Sequence, residues 1–154
     1  MRRLIGRPGF LWLLGLFAVL AAAGEVRADS LPALSGMPYL DSDSACFTRL
    51  SSSNRVTNTG CGTVPRTWLI GFPVRPTVNL EVFASATGSG TPPSCRVVVR
   101  SASDTSVTFG SSFNIGTDTQ IGFAHVNSSS DTAHVDCLLT QNQRGVTGIR
   151  WIIH

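Results

Sequence analysis

"SCRVVVRS", Ser94–Ser101, and "AHVDCLLT", Ala133–Thr140, are the stretches on which the fold turns. Each alternates with period two, the spacing at which successive side chains of an extended strand point to opposite faces. In the first, Cys95, Val97 and Val99 share one face while Arg96, Val98 and Arg100 share the other; in the second, Val135, Cys137 and Leu139 oppose His134, Asp136 and Leu138. A cysteine therefore stands in core register in each strand. In an exported chain, two core-facing thiols on different strands read as one cystine, which leaves Cys46 and Cys61 to close a local loop. Four cysteines allow three pairings; facing and locality select Cys95 with Cys137 and Cys46 with Cys61. A zinc site would call for closely paired ligands such as C-x-x-C, whereas 14, 33 and 41 residues separate successive cysteines. No metal and no cofactor are expected.

The start of the chain accounts for this use of cysteine. Arg2, Arg3 and Arg7 precede an apolar run from Phe10 to Ala23, followed by small and polar residues, the three-part layout of a secretory signal peptide. The run is 14 residues long, short of the roughly 20 that a spanning helix needs. Cleavage after Ala28 puts small side chains at Val26 and Ala28, with Ala21 and Ala23 as an earlier alternative. No cysteine follows the small triplet to carry a lipid, and the Arg2–Arg3 pair lacks the polar flanks of a twin-arginine signal. The expected division is a signal peptide over 1–28, an extended lead-in over 29–44 able to add a short edge strand, and a disulfide-bonded domain over 45–154. The expected location is the periplasm or the cell exterior, with no membrane anchor once the signal is removed.

Charge excludes one class of partner. The chain carries twelve arginines, no lysine and nine acids, for a net charge of +3. Removing residues 1–28 takes four arginines and one glutamate, leaving eight of each sign. Nucleic-acid binding needs clustered positive charge to displace counterions, and the remaining chain offers none.

Beyond the lead-in, short runs rich in Val, Ile, Thr, Phe and Trp are punctuated by Gly, Pro, Ser and Asn, the pattern of half-buried strands joined by turns. Such runs cover Trp68–Val74, Val78–Ser85, Arg96–Arg100, Ser106–Phe109, Ile121–Asn127, Ala133–Thr140 and Ile149–His154. No stretch reads as a helix. Seven or eight short strands in about 126 residues predict an all-β domain, a small antiparallel β-sandwich held by two disulfides, in preference to a closed barrel. Ile149, Trp151 and Ile153 alternate up to the carboxylate, which predicts a final strand that seals the core with Trp151 as a structural residue.

The signal peptide, the "SACF" around Cys46, the "SCRVVV" around Cys95 and the late "VDCLLTQNQRGVTGIRWI" together resemble a group of small exported four-cysteine β proteins of Gram-negative soil bacteria such as myxobacteria. The resemblance implies the fold class and brings no activity and no catalytic residues.

Candidate chemistry is sparse. There is no G-x-S-x-G elbow, and His125, His134 and His154 all lie in the last third of the chain. His134 and Asp136 share the outward face of one strand and could act as an acid–base couple in a hydrolase, or form a solvated strand face with Arg96 opposite Asp136. A glycosidase uses two carboxylates across a cleft, yet Glu81 is the single glutamate after residue 28. A non-catalytic binding or surface-interaction module, with a glycan or cell-surface component as partner, is the expected function; a structural subunit of a surface layer or fibre is the alternative. Sugar recognition calls for exposed aromatic rings. Tyr39, Trp68, Phe83 and Trp151 are available, of which Trp68 and Trp151 lie in apolar runs and belong to the core. Phe83, beside Asn79 and Glu81 on one strand face, is the candidate ligand face.

Overall fold

A computed structural model describes residues 28–102 and 106–154. The expected signal peptide lies outside the described residues except for Ala28. In chain order the strands are β1 (Ala28–Pro32), β2 (Met37–Pro38), β3 (Phe47–Leu50), β4 (Arg55–Asn58), β5 (Arg66–Phe72) and β6 (Asn79–Thr87). They continue with β7 (Ser94–Arg100), β8 (Val107–Phe109), β9 (Phe113–Asn114), β10 (Thr119–His125), β11 (Thr132–Leu139) and β12 (Gly145–Ile153). One sheet runs β10-β6-β12-β4-β3, with β1 also beside β12; the other runs β2-β5-β11-β7-β8, with β9 also beside β7. Neighbouring strands in both sheets are antiparallel. The chain is the expected all-β sandwich.

All seven apolar runs are strands. Five further strands, β1, β2, β3, β4 and β9, bring the number to twelve among the described residues. These are two to five residues long, too short for a period to show. Their sequences, such as "MP" and "FN", become strands because a neighbouring ladder supplies hydrogen-bond partners.

The core lies between the sheets. Leu80, Val82, Ala84 and Ala86 project inward from β6 towards Trp68, Ile70 and Phe72 of β5, and Phe72 stacks on Trp151 across the interface with ring centroids 5.4 Å apart. Cys95 and Cys137 are direct register partners on β7 and β11, both core-facing, and are joined; Cys46 and Cys61 form the second bond. This is the pairing expected from facing and locality.

The lead-in is built into both sheets. β1 pairs with β12, a 3-10 turn at Ala33–Ser35 then carries the chain across, and β2 pairs with β5. Ala33 is fully buried, and its carbonyl accepts a hydrogen bond from Trp68 Nε1 at 2.9 Å. Gly36 packs so closely that a Cβ there would strike Leu69 O and lie 2.5 Å from Trp68 Nε1. Gly36→Ala should therefore cost about 1–3 kcal/mol, the range for overpacking a core. A denaturation midpoint equal to that of the parent would contradict this crossing geometry.

Candidate functional site

The outer face of the second sheet carries its side chains in two crosswise rows set by register. Asp136 of β11 stands opposite Arg96 of β7, and His134 stands opposite Val98, which in turn stands opposite Phe109 of β8. Arg96 donates from Nε and Nη2 to Asp136 Oδ2 at 3.4 and 3.3 Å. His134 Nε2 lies 3.1 Å from Asp136 Oδ1. The Arg96 guanidinium also sits over the Phe109 ring, 4.3 Å from its centroid, a geometry that a cation and an aromatic face favour. Tyr39 reaches this face from the segment after β2, held by its backbone N–H to Thr67 O at 3.0 Å. Together these residues line a cavity of about 310 Å³.

Val98 shows how enclosed this face is. It points away from the sandwich interior and lies outside the core cluster, yet only 2% of it is exposed. Tyr39 and Phe109, by contrast, remain 65% and 56% exposed. Two rings open to solvent, an apolar floor and a charged network thus meet at one place. Exposed large apolar side chains gathered on one surface mark interaction sites in soluble proteins, and Met37, Leu40 and Leu138 add to the exposed apolar residues contributed by this sheet and the segment after β2.

The candidate face of Asn79, Glu81 and Phe83 lies on the outer surface of the first sheet, and its groups are engaged with one another's neighbours. Asn79 Oδ1 is 2.8 Å from His125 Nδ1, and Glu81 Oε2 is 3.2 Å from His154 Nε2. Arg150 Cζ lies 4.0 Å from the centroid of the Phe83 ring, while its guanidinium donates to both oxygens of Asp118 at 3.1 and 2.7 Å. The hydrogen bonds it donates to Asp118 hold the Arg150 guanidinium above its already high ordinary pKa, so this clamp over Phe83 stays charged. The open ring on this face is Phe123, 64% exposed and directly opposite Glu81.

No protein-family model matches the sequence, and no curated protein matches it. Among solved structures, the chain is similar to a Podospora anserina GH26-CBM35 β-(1,4)-mannanase, at 15% identity with a TM-score of 0.47. The match covers 82% of this chain and 28% of that one.

Chemically, His134 and Asp136 are in contact as the strand face predicts, and Arg96 takes the other oxygen of the same carboxylate. The two hydroxyl-bearing residues of the cavity wall are Thr67 and Tyr39, and among the described residues neither hydroxyl is hydrogen-bonded to His134. A nucleophile aligned with its base is the signature of covalent hydrolysis; this arrangement holds a base and an acid with a cation in place of the nucleophile. Among the described residues, no group of three or more His, Cys, Asp or Glu side chains is placed to hold a metal ion. No described helix is long and apolar enough to cross a membrane.

Phe109 and Phe123 are the site residues that sequence reasoning passed over. In "QIGFAH" strict alternation would put Ile121 and Phe123 on the same face. A bulge between Gln120 and Gly122 shifts the phase, so that Ile121 and Ala124 are buried and Phe123 faces outward. The glycine inside an apolar run, with φ at 137°, was the available signal. Phe109 sits in a three-residue strand whose position over Val98 depends on pairing with β7.

Proposed function

We propose that the protein is an exported, non-catalytic recognition module that binds a carbohydrate through the outer face of its second sheet. Tyr39 and Phe109 carry this reading: two open rings flank a cavity whose wall also holds Arg96, Asp136 and His134. The C–H face of a sugar ring packs on an aromatic ring, and its hydroxyls hydrogen-bond to planar charged groups, so a site built for saccharides combines both. Charge-assisted hydrogen bonds fix orientation, and the Arg96–Asp136 pair supplies a donor and an acceptor side by side. The two disulfides support an oxidising location, and N-terminal sequencing of the secreted protein should begin at Asp29.

The direct test is a glycan and cell-surface binding screen followed by substitution. Phe109→Ala should weaken binding at least tenfold, about 1.4 kcal/mol, while the protein still unfolds cooperatively because the ring lies outside the core. Undiminished binding by a Tyr39→Ala/Phe109→Ala double variant would refute the assignment. The contact between His134 and Asp136 favours hydrolysis as the second reading; it requires turnover that disappears in His134→Ala.

A further inference from the structure

At the β4 end of the first sheet, a groove of about 530 Å³ opens between β3, β4 and the loops that follow β6 and β11. It contains one charged side chain, Arg55, and no acid; the rest of its wall is mainly Thr, Ser, Asn, Gln and Gly. The groove shares no lining residue with the Tyr39–Phe109 cavity.

Arg55 differs from the other half-buried arginines. Arg66 pairs with Asp43, Arg96 with Asp136 and Arg150 with Asp118, while Arg144 donates to Gly90 O. Arg55 has no hydrogen-bond acceptor or carboxylate among the described residues; its Nε–H, like that of Arg66, is shut away from solvent without a partner. A buried N–H left so is unfavourable unless something compensates it.

Its position is nevertheless built with care by two glycines distant in sequence. A Cβ at Gly145 would strike the Arg55 Cγ and Cδ, and one at Gly88 would come within 2.6 Å of Nη1. Gly88 also has φ at 106°, a backbone state that side chains rarely adopt. The loops around the guanidinium are tied together: Arg144 donates from its backbone N–H to Thr91 O at 2.9 Å and from Nε to Gly90 O at 3.3 Å. Gln143 Oε1 accepts the Thr140 N–H at 2.7 Å. A groove held rigid before binding loses less entropy on taking a ligand.

From the unpaired guanidinium in this neutral, hydroxyl- and amide-lined wall, we infer that the groove is a second binding site, for an acidic saccharide. One carboxylate of the sugar pairs with the Arg55 guanidinium, and ring hydroxyls meet Thr57, Ser89, Gln141 and Asn142. Guanidinium and carboxylate match as planar, two-pronged partners, and a single cation with no acid nearby selects a ligand of single negative charge per subsite. The site does not depend on the reading of the second sheet.

The test is a titration of the purified, disulfide-bonded, ¹⁵N-labelled protein with three probes: a trisaccharide of galacturonate, the neutral trisaccharide of galactose, and sodium sulfate. The galacturonate trisaccharide should shift the amide resonances of Gly88, Ser89 and Asn142, bind at least tenfold more tightly than the neutral sugar, and weaken as salt is raised. Arg55→Met should lose at least tenfold in affinity for it. Equal binding of the neutral and acidic sugars would overturn the inference. So would sulfate binding as tightly as the trisaccharide, since that describes a bare anion site. Should Arg55→Met fail to fold, the discrimination between the two sugars and the map of shifted amides in the parent protein decide the matter alone.

Discussion

A chain ending at Gly148, without Ile149–His154, is expected to lose its cooperative thermal transition altogether. The missing residues form most of β12, which lies inside the first sheet with β6 along one edge and β1 and β4 along the other. Their removal strips the register pairs from Ile149↔Ala84 to Ile153↔Leu80 and from Ile149↔Leu31 to Ile152↔Ala28. It leaves most of β6 facing a gap and β1 with the single pair Pro32↔Gly148. It also removes Ile149 and Trp151, both buried, and the stacking of Trp151 on Phe72. Truncating a buried Trp to Ala by itself costs about 3–5 kcal/mol, a large part of the total of about 5–15 kcal/mol that holds a domain together. Trp151→Ala should accordingly give a folded but much weakened protein, and the truncation none. The measurement is a calorimetric or circular-dichroism melt. A truncated chain that melts as sharply as its parent, having lost only the ability to assemble or bind, would mean that the last strand serves a partner instead of the core.

The second large effect is expected from the Cys95–Cys137 bond. Replacing both residues by alanine should lower stability by about 4 kcal/mol and replacing Cys46 and Cys61 by about 3 kcal/mol, because the cost of closing a loop in the unfolded chain rises slowly with its length. The sequence separations are 42 and 15 residues. Cys95 and Cys137 are also almost fully buried, so their loss removes packed sulfur from the core in addition to the crosslink. Denaturant midpoints of the two double variants, compared without reductant so that the remaining disulfide stays intact, check both magnitude and order. A longer-loop variant that proves the more stable of the two would show that strain or residual structure in the unfolded chain outweighs loop entropy here.

Much of this architecture was legible because it depends on neighbours in the chain. Period-two alternation gave the faces of β6, β7, β11 and the end of β12, and the core register of Cys95 and Cys137 followed from the same count. The shared face of Asn79, Glu81 and Phe83 was equally readable, as was the contact between His134 and Asp136, two residues apart on one strand face. What these side chains do on that face was not readable. Arg150 reaches Phe83 and Asp118 from positions 67 and 32 residues away, and no local pattern encodes such a meeting.

By itself, the sequence determined an all-β chain, its long strands, which residues share a face in β6, β7, β11 and the end of β12, and the two disulfide partners, since each follows from backbone geometry and spacing over a few residues or from the burial that alternation demands. The tertiary structure decided the rest: the order of strands in the two sheets, the capture of the lead-in by both of them, and the bulge that turns Phe123 outward. It also decided that Val98 is covered from outside by the segment bearing Tyr39 and by Phe109, and that Gly88 and Gly145 together make room for Arg55. Binding surfaces of a sandwich are assembled by pairing between strands far apart in the chain, and the free energy that selects one pairing over another resides in the whole packed core.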